Sequence, residues 1–373
     1  MRVQKELGAG DHGEGSNEGT KMAISVSKPD AMAPEQETTA KFVKRLAQLT
    51  KEMVEECGGK AANLGELTKL SLNVPDGFSV LGNSYYHHLE ANHLRERIDA
   101  IAATLNVENY QDLECKTQSI RDLIMEAPVP GEIQDEIASN YLSLSQGGEA
   151  FVAVRSSVAI KDSPISSFPG LMDTFHYVKG ANSVIARVKD VWASVWSTRA
   201  AFTRLTKHLE HNKAVIAPTV QLMVNSEIAG VLFTQNPINR CKEEIVIESN
   251  WGLGETVVSG RCSSDFYVLR KQCRDYGTRT CPECPPDSVA VREEKIANKV
   301  ETCIEAEGGG RQWVKNSTEK AHQPTLSRSQ LRELCRASCM IEEHYRYPQD
   351  IEWAFEKGRL YILQTRRAKV GGA

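Results

Sequence analysis

The sequence predicts a chain of mixed helix and strand, of the α+β or α/β class. Apolar residues recur at helical spacing in several stretches, and they form short alternating or continuous runs, typical of strands, in others. These helical and strand segments interleave along the chain, which argues against a helix bundle or a β-sandwich. With 373 residues, the chain is long enough for two or three structural units with a large buried core.

The composition is that of an ordinary soluble globular protein, with 40% hydrophobic and 25% charged residues. No stretch approaches the roughly 20 apolar residues that a bilayer-spanning helix needs, and the N-terminus lacks the layout of a secretory signal. We therefore expect a cytoplasmic protein without a membrane partner. The net charge of −4 gives no reason to expect a nucleic-acid partner either.

The first half of the chain is predicted to be mainly helical after a disordered leader. Residues 1–40 contain many glycines and acidic residues and no aromatic residue, so they cannot bury enough apolar surface to offset the entropy of ordering. From Phe42 onward, apolar spacing predicts helix on both sides of a turn at Gly58-Gly59-Lys60. Residues 84–101 are predicted as one helix, and more helix is expected to about residue 141.

The second half is predicted to carry most of the strands. A continuous apolar run at 151–154 is typical of a buried strand, and a long loop rich in proline and glycine follows it. An amphipathic helix is predicted at 184–205, and a polar, partly flexible stretch at 270–325. The other predicted elements are strands at 219–224, 230–234 and 244–248, a helix at 331–346, and a hairpin of 351–355 with 360–363.

Two basic residues point to a bound polyphosphate. Lys60 follows two glycines at a predicted helix start, where free N–H groups and the helix dipole favour an anion. Arg155 ends an apolar strand beside Ser156 and Ser157, a common arrangement for a guanidinium that clamps phosphate. The alternative for the Gly-Gly-Lys turn is a plain helix cap.

The predicted terminal hairpin adds candidate metal ligands. Glu352 lies on its first strand, and Gln364 and Arg366 follow its second. A carboxylate and an amide oxygen across a hairpin can bind Mg²⁺, which usually takes few protein ligands besides nucleotide phosphate. The alternative is a solvated hairpin edge on which Glu352 and Arg366 form an ion pair.

A cysteine cluster is a second candidate metal site. Cys281 and Cys284 form a Cys-Pro-Glu-Cys knuckle, and Cys262 and Cys273 precede it at irregular spacing. Such a knuckle can present two thiolates to one zinc ion. Reduced surface thiols are the alternative, and the sequence does not decide between the two.

Together, these motifs resemble the N-terminal nucleotide-binding domain of the family of phosphoenolpyruvate synthase, pyruvate phosphate dikinase and rifampin phosphotransferase. The resemblance runs from about Phe42 to Arg366. The motifs that carry it are 58–67, 74–78, 153–157, 168–175, 221–224, 230–234, 248–260, 348–353 and 363–366. It implies an α+β fold of the ATP-grasp type, with ATP between an N-terminal lobe of 41–217 and a C-terminal lobe of 218–368, followed by a tail of 369–373.

The resemblance also implies a role for each candidate residue. Lys60 and Arg155 would hold the ATP phosphates, and Arg366 would neutralise charge during transfer. Glu352 and Gln364 would bind magnesium. A mobile loop over the phosphates, the strand that meets the adenine and two acidic residues would supply the other nucleotide contacts: Gly170, Asp173, Thr174, Gln221, Met223, Val224, Glu227 and Glu248.

The implied activity is that of a dikinase, which binds Mg-ATP, passes the β-phosphoryl group to a histidine and releases AMP and phosphate. None of the nine histidines stands in the Gly-Gly-x-Thr-x-His setting of the family's acceptor. We therefore expect the phosphohistidine on a partner subunit that also binds a small-molecule acceptor, as in phenylphosphate synthase, where the acceptor is phenol. Two alternatives stay open: the nucleotide-binding part of a phosphoenolpyruvate synthase acting on pyruvate, and a non-catalytic ATP-binding module.

Three positions depart from the family pattern. Ala61 replaces a glycine, Lys161 an acidic residue and Arg367 a proline. None of these changes removes a candidate ligand. Lys161 could alter the loop over the phosphates.

Overall fold

The computed structural model describes residues 41–159, 174–211, 215–271 and 290–369. The α-helices in these ranges are α1 (Val54–Leu67), α2 (Gly82–Ala91), α3 (Arg95–Ala102), α4 (Tyr110–Glu126), α5 (Gly131–Leu144), α6 (Ala181–Ser194), α7 (Thr198–Thr206), α8 (Glu255–Val258), α9 (Thr318–His322) and α10 (Arg328–Tyr345). In the described ranges, no helix combines the length and apolar character needed to cross a membrane. The predicted leader lies outside them.

Thirteen strands accompany these helices in the described ranges, which confirms the predicted α+β class. They are β1 (Val43–Arg45), β2 (Gly77–Val80), β3 (Val152–Arg155), β4 (Thr174–Val178), β5 (Thr219–Leu222), β6 (Ile228–Phe233), β7 (Glu244–Trp251), β8 (Asp265–Arg270), β9 (Ala290–Lys295), β10 (Glu301–Glu305), β11 (Arg311–Lys315), β12 (Gln349–Glu356) and β13 (Arg359–Arg367). Strands β10 and β11 form a separate hairpin.

The first sheet has five strands in the order β1-β2-β5-β3-β4, all antiparallel. Buried side chains such as Ile120, Ile137, Val154 and Trp192 join it to helices α2 to α7 in one core. Strand β5 pairs with β2 and β3 of this sheet. The family resemblance assigns the residues of this strand to the C-terminal lobe of 218–368. Its apolar residues predict a strand, but they carry no information on which sheet the strand joins.

The second sheet has six antiparallel strands in the order β13-β12-β6-β7-β8-β9. One face of it packs against α1 and α10 through buried residues that include Leu64, Leu334 and Trp353. Side chains alternate between the two faces of a strand, so Glu352 and Ala354 lie on the face opposite Trp353. That opposite face carries the candidate functional residues.

Three predicted helices are wrong in detail, because local backbone geometry interrupts them. The helix expected just after Phe42 is strand β1 followed by two 3₁₀ turns. The predicted helix 84–101 is α2 and α3, which are separated near His93 at φ +53°. The predicted helix 184–205 is α6 and α7, because the Ser197 side chain caps the start of α7 by accepting from the Ala200 N–H.

The stretch 270–325, predicted to be polar and partly flexible, contains regular elements where the structure describes it, and its residues 272–289 lie outside the described ranges. Residues 290–325 contain β9, the hairpin of β10 and β11, and helix α9. The sequence there is polar because much of β9 and β11 is exposed on the protein surface. A polar surface hairpin has the composition of a loop, so composition alone does not distinguish the two.

A single glycine positions the predicted phosphate-binding lysine. Helix α1 is interrupted at Gly58, whose φ of +76° lies in the left-handed region that favours glycine. Beyond this kink, the backbone N–H groups of Lys60 and Ala61 donate to the Ser157 hydroxyl at 3.1 and 3.4 Å. A Cβ atom at position 58 would collide with that hydroxyl and lie 2.7 Å from the Ser157 carbonyl oxygen. The kink therefore joins the start of the regular helix to the segment after β3.

We predict that Gly58→Ala lowers the free energy of unfolding by about 2 kcal/mol, because the new methyl group meets both a left-handed φ and a close backbone contact. Gly59→Ala is the matched control, since a Cβ atom there has no neighbour within 4 Å. It should change stability by less than about 0.5 kcal/mol. Urea unfolding followed by circular dichroism measures both values, and equal losses for the two variants would contradict the steric explanation.

Candidate functional site

The side chain of Arg155, at the end of β3, reaches from the first sheet to the second. Its Nη2 donates to Glu352 Oε2 at 2.8 Å and to Gln364 Oε1 at 3.0 Å. Its Nη1 donates to the Leu363 carbonyl at 3.0 Å and to the Gln221 side-chain oxygen at 3.4 Å. The side chain is only 14% exposed, so one largely buried guanidinium bridges the two sheets.

The strand register places the predicted metal ligands side by side. Glu352 on β12 lies opposite Gln364 on β13 and opposite Val231 on β6, and Val231 in turn lies opposite Glu248 on β7. Directly opposed residues in antiparallel strands share a face of the sheet. Glu352, Gln364 and Glu248 therefore form a row on one face, which we call the site face.

Arg366 lies next to this row and has its own acidic partner. It stands opposite Asp350 in the register, and its Nε and Nη2 both contact Asp350 Oδ2 at 2.8 Å. Burial raises the pKa of the Asp350 carboxyl, and the charge of Arg366 opposes that rise. The alternative hairpin-edge ion pair between Glu352 and Arg366 is therefore wrong, because Glu352 pairs with Arg155 instead.

The charge of the Lys60 side chain acts on the site, whereas the backbone N–H groups at the start of its helix are not free to bind an anion. The expectation of free N–H groups is wrong at Lys60 and Ala61, since both bond to the Ser157 hydroxyl. Burial lowers the pKa of the Lys60 ammonium to about 8, and the neighbouring charge of Arg155 adds to this against the opposing charge of Glu352. The ammonium therefore lies within electrostatic reach of the bridge between the sheets.

Glu352 remains ionised although its side chain is only 30% exposed. Burial by itself would raise the pKa of the carboxyl, but the charges of Arg155 and Lys60 outweigh it, and the pKa is lowered. Its Oε1 also accepts from the Gln364 side-chain amide at 3.1 Å. A charged carboxylate and an oriented amide oxygen are thus held together on the site face.

These two oxygens suit a hard cation. Glu352 Oε2 and Gln364 Oε1 converge on the same nitrogen of Arg155, so both already face one positive centre. Magnesium prefers such oxygen ligands and usually takes few of them from the protein. Within the described ranges, no group of three His, Cys, Asp or Glu side chains is placed to hold a metal.

Two further predictions, the zinc site and the loop over the phosphates, fall largely on residues outside the described ranges. Cys281 and Cys284 lie outside the described residues, as does Cys273, so the zinc hypothesis stays a prediction. Cys262 is described, and it is buried. Gly170 and Asp173 of the predicted phosphate loop also lie outside the described residues.

Thr174 and Glu227 occupy different surroundings. Thr174 begins β4 and lies directly opposite Arg155, so it shares the strand end from which the guanidinium projects. Glu227 has an exposed side chain, and its backbone N–H donates to the Phe355 carbonyl at 2.9 Å. Thr174 is therefore placed beside Arg155. Glu227 precedes β6, and its backbone bonds to Phe355 instead.

Two clusters of apolar side chains lie along the same strands as the charged residues of the site. One group, which we call the hinge cluster, consists of Phe151, Tyr177, Met223, Leu253, Cys303 and Trp313. A second, the floor cluster, consists of Val224, Ala229, Ala354, Tyr361 and Leu363. The predicted adenine contacts Met223 and Val224 thus belong to two neighbouring apolar groups. From Arg155 to the hinge cluster is three to four residues along β3, or about 10 to 13 Å.

Sequence reasoning missed several members of this site. The Leu363 carbonyl that binds Arg155 carries no side-chain signal, and nothing in the sequence marks Tyr177 as part of an apolar cluster. The floor residue Ala354 could have been found, because the alternation that places Glu352 on the site face also places Ala354 there. The site therefore combines a charged end and an apolar end on one pair of sheets.

Comparison with known proteins identifies the family of the chain. A family model described as "Pyruvate phosphate dikinase, AMP/ATP-binding domain" matches residues 54–373. The chain is 37% identical over 366 residues to a probable phosphoenolpyruvate synthase of Pyrococcus abyssi, with 87% of this chain and 43% of the relative covered. It is 36% identical over 348 residues to a probable phosphoenolpyruvate synthase of Methanocaldococcus jannaschii, with 92% and 27% covered.

A third relative, the phosphoenolpyruvate synthase of Pyrococcus furiosus, is 35% identical over 366 residues, with 87% of this chain and 43% of the relative covered. The chain thus spans less than half the length of these relatives. The resemblance drawn from the sequence motifs is confirmed by the family model. The chain belongs to the family of the pyruvate phosphate dikinase AMP/ATP-binding domain.

Proposed function

We propose that this chain is the nucleotide-binding part of a dikinase of the phosphoenolpyruvate synthase type. It binds Mg-ATP, the β-phosphoryl group passes to a histidine and the γ-phosphoryl group to water, and AMP and phosphate are released. The observation that supports this most directly is the contact of Arg155 with Glu352 and Gln364. It gathers a phosphate-binding cation and two oxygen ligands at one point, with Lys60 close enough to be affected electrostatically.

We propose further that the nucleotide lies between the two sheets, in the two-lobe manner of an ATP-grasp fold. The charged end of the site suits phosphate, and the hinge and floor clusters suit a purine base. The separation of about 10 to 13 Å along β3 is comparable to the reach of a nucleoside triphosphate. One extended ligand would therefore satisfy both ends at once.

The residues have distinct proposed roles in transfer. Glu352 and Gln364 would hold magnesium, which supplies charge neutralisation at the phosphates when it is bound. Arg155 and Lys60 would contact phosphate oxygens, and Arg366 would neutralise charge that develops during transfer. Phosphoryl transfer depends mostly on positioning and charge neutralisation, which such a set of side chains provides.

Pyruvate is the proposed acceptor, in preference to phenol. The relatives named above are phosphoenolpyruvate synthases, which favours this alternative over a phenylphosphate synthase. The histidine that receives the phosphoryl group is proposed to lie on a polypeptide segment corresponding to the part of these relatives that the match does not cover.

Transfer of label from ATP separates the three hypotheses. The chain is incubated with Mg-ATP labelled in the β-phosphate and with the segment of the Pyrococcus furiosus relative that lies beyond the match, with pyruvate or with phenol. We expect AMP and labelled phosphoenolpyruvate with pyruvate only. Label that enters product only with phenol would favour the phenylphosphate hypothesis. Nucleotide binding without AMP in any mixture would favour a non-catalytic module.

We predict that Arg155→Met weakens Mg-ATP binding at least about tenfold, because it removes charge-assisted contacts to phosphate and leaves the buried charge of Glu352 without its partner. Arg155→Lys should lose less, since it keeps the charge but not the forked geometry. Isothermal titration calorimetry measures the affinities.

Arg328→Met is the matched control for the Arg155 variants. It removes a guanidinium that pairs with Glu294 at 2.7 Å on the surface, where the arginine side chain is 58% exposed. Its affinity for Mg-ATP should equal that of the unmodified chain. Equal affinities for Arg155→Met and Arg328→Met would contradict the proposed clamp.

The lowered pKa of Lys60 predicts a pH-dependent affinity. With a pKa of about 8, the ammonium loses its charge as the pH rises through 8, so phosphate binding should weaken above that value. In magnesium-free buffer, the Kd for ATP should rise about tenfold from pH 7 to pH 9. The Cys57 thiol, whose pKa burial raises to about 12, and His176, whose pKa burial lowers to about 4, do not titrate in this range.

Lys60→Arg provides the control for this pH dependence, because a guanidinium stays protonated throughout. Its Kd should be nearly constant over the same interval. A constant Kd for the unmodified chain between pH 7 and pH 9 would show that the Lys60 charge does not contribute to phosphate binding.

A further inference from the structure

Tyr177, near the end of β4, carries two energetic costs at one residue. It is 4% exposed, and its hydroxyl is buried without a hydrogen-bond partner among the residues that the structure describes. Its φ is +54°, a left-handed conformation that a tyrosine adopts only at a cost, and it lies where the register between β3 and β4 shifts. Buried polar groups are normally paired, so an unpaired hydroxyl that also lies at a proposed ligand site is a candidate to contact the ligand.

The position of Tyr177 is the apolar end of the proposed nucleotide site. Its ring packs in the hinge cluster with Met223 and Leu253, and it meets the Phe151 ring edge-on at a centroid distance of 5.6 Å. Strand β4 starts at Thr174, opposite Arg155, and Tyr177 lies three residues further on, or about 10 Å away. The residue therefore stands where the nucleoside end of an ATP molecule would lie if its phosphates were at Arg155.

Two backbone donors beside this cluster are already in use. The Met223 N–H donates to the Phe151 carbonyl at 2.9 Å, and the Asn225 N–H donates to Glu356 Oε1 at 3.2 Å. Burial raises the pKa of the Tyr177 hydroxyl, with a further contribution from Glu305, so the group remains an O–H donor. A mostly apolar ligand pocket depends on a small number of such polar groups to orient its ligand.

We propose that the Tyr177 hydroxyl hydrogen-bonds the nucleoside end of ATP, an inference that rests on the proposed function and adds a binding residue to it. The hydroxyl has no partner in the described part of the chain. With nucleotide bound, it gains one, and the cost of its burial is offset. Such a group would contribute to affinity for the nucleoside and nothing to affinity for the phosphates.

Tyr177→Phe tests this proposal with two ligands, ATP and inorganic triphosphate, in titrations at a fixed magnesium concentration. We expect the variant to bind ATP about five- to tenfold more weakly than the unmodified chain, as the loss of one hydrogen bond implies. Its affinity for triphosphate should be unchanged. Its melting temperature should not fall, because the substitution removes only a hydroxyl that has no partner among the described residues.

Tyr267→Phe is the matched control. This residue also has a fully buried ring and hydroxyl, but it lies in the core behind the second sheet, with α1 and α10. Its ATP affinity should equal that of the unmodified chain. Unchanged ATP affinity in Tyr177→Phe would overturn the proposal, and so would an equal loss for ATP and triphosphate. If the unmodified chain binds neither ligand, the proposed function itself is wrong.

Discussion

The guanidinium of Arg155 is the contact on which the site depends, because it is the cation that holds the two sheets' polar side chains together. Four acceptors from three strands surround it, and it is 14% exposed. A buried charge without partners is costly, and a buried charge with well-placed partners fixes their geometry. Its field also helps to lower the pKa of Lys60, of Glu352 and of His176, so a change at this one residue would alter the whole charged end.

The register of the second sheet places charged residues at one end of the site and apolar residues at the other. Glu352 and Gln364 face each other across β12 and β13, and Ala354, two residues beyond Glu352, belongs to the floor cluster. Along β3, the same direction leads from Arg155 to the hinge cluster. The second sheet therefore changes from charged to apolar over about 7 Å, and the first sheet over about 10 to 13 Å. This common polarity is what allows one elongated ligand with a charged end and an apolar end to fit.

Much of the site could be predicted from the sequence, because its key residues stand in local patterns. Arg155 ends a buried strand, and Glu352 alternates with apolar neighbours, so each was identified without the fold. Their pairing was not, since 197 positions separate them and the local pattern favoured Arg366 as the partner of Glu352. The use of the Ser157 hydroxyl by the start of the regular helix depends on the kink at Gly58. The sheet that β5 joins and the left-handed φ of Tyr177 likewise depend on tertiary packing, which a single sequence does not display.

The most direct measurement is a crystal structure of the chain with Mg²⁺ and a non-hydrolysable ATP analogue. We predict a metal ion bound by Glu352 and Gln364 at about 2.1 Å, a distance typical of magnesium. We also predict phosphate oxygens on Arg155 and Lys60, and the base between the hinge and floor clusters. Nucleotide bound away from the site face, or a metal ion without either of these two ligands, would contradict it.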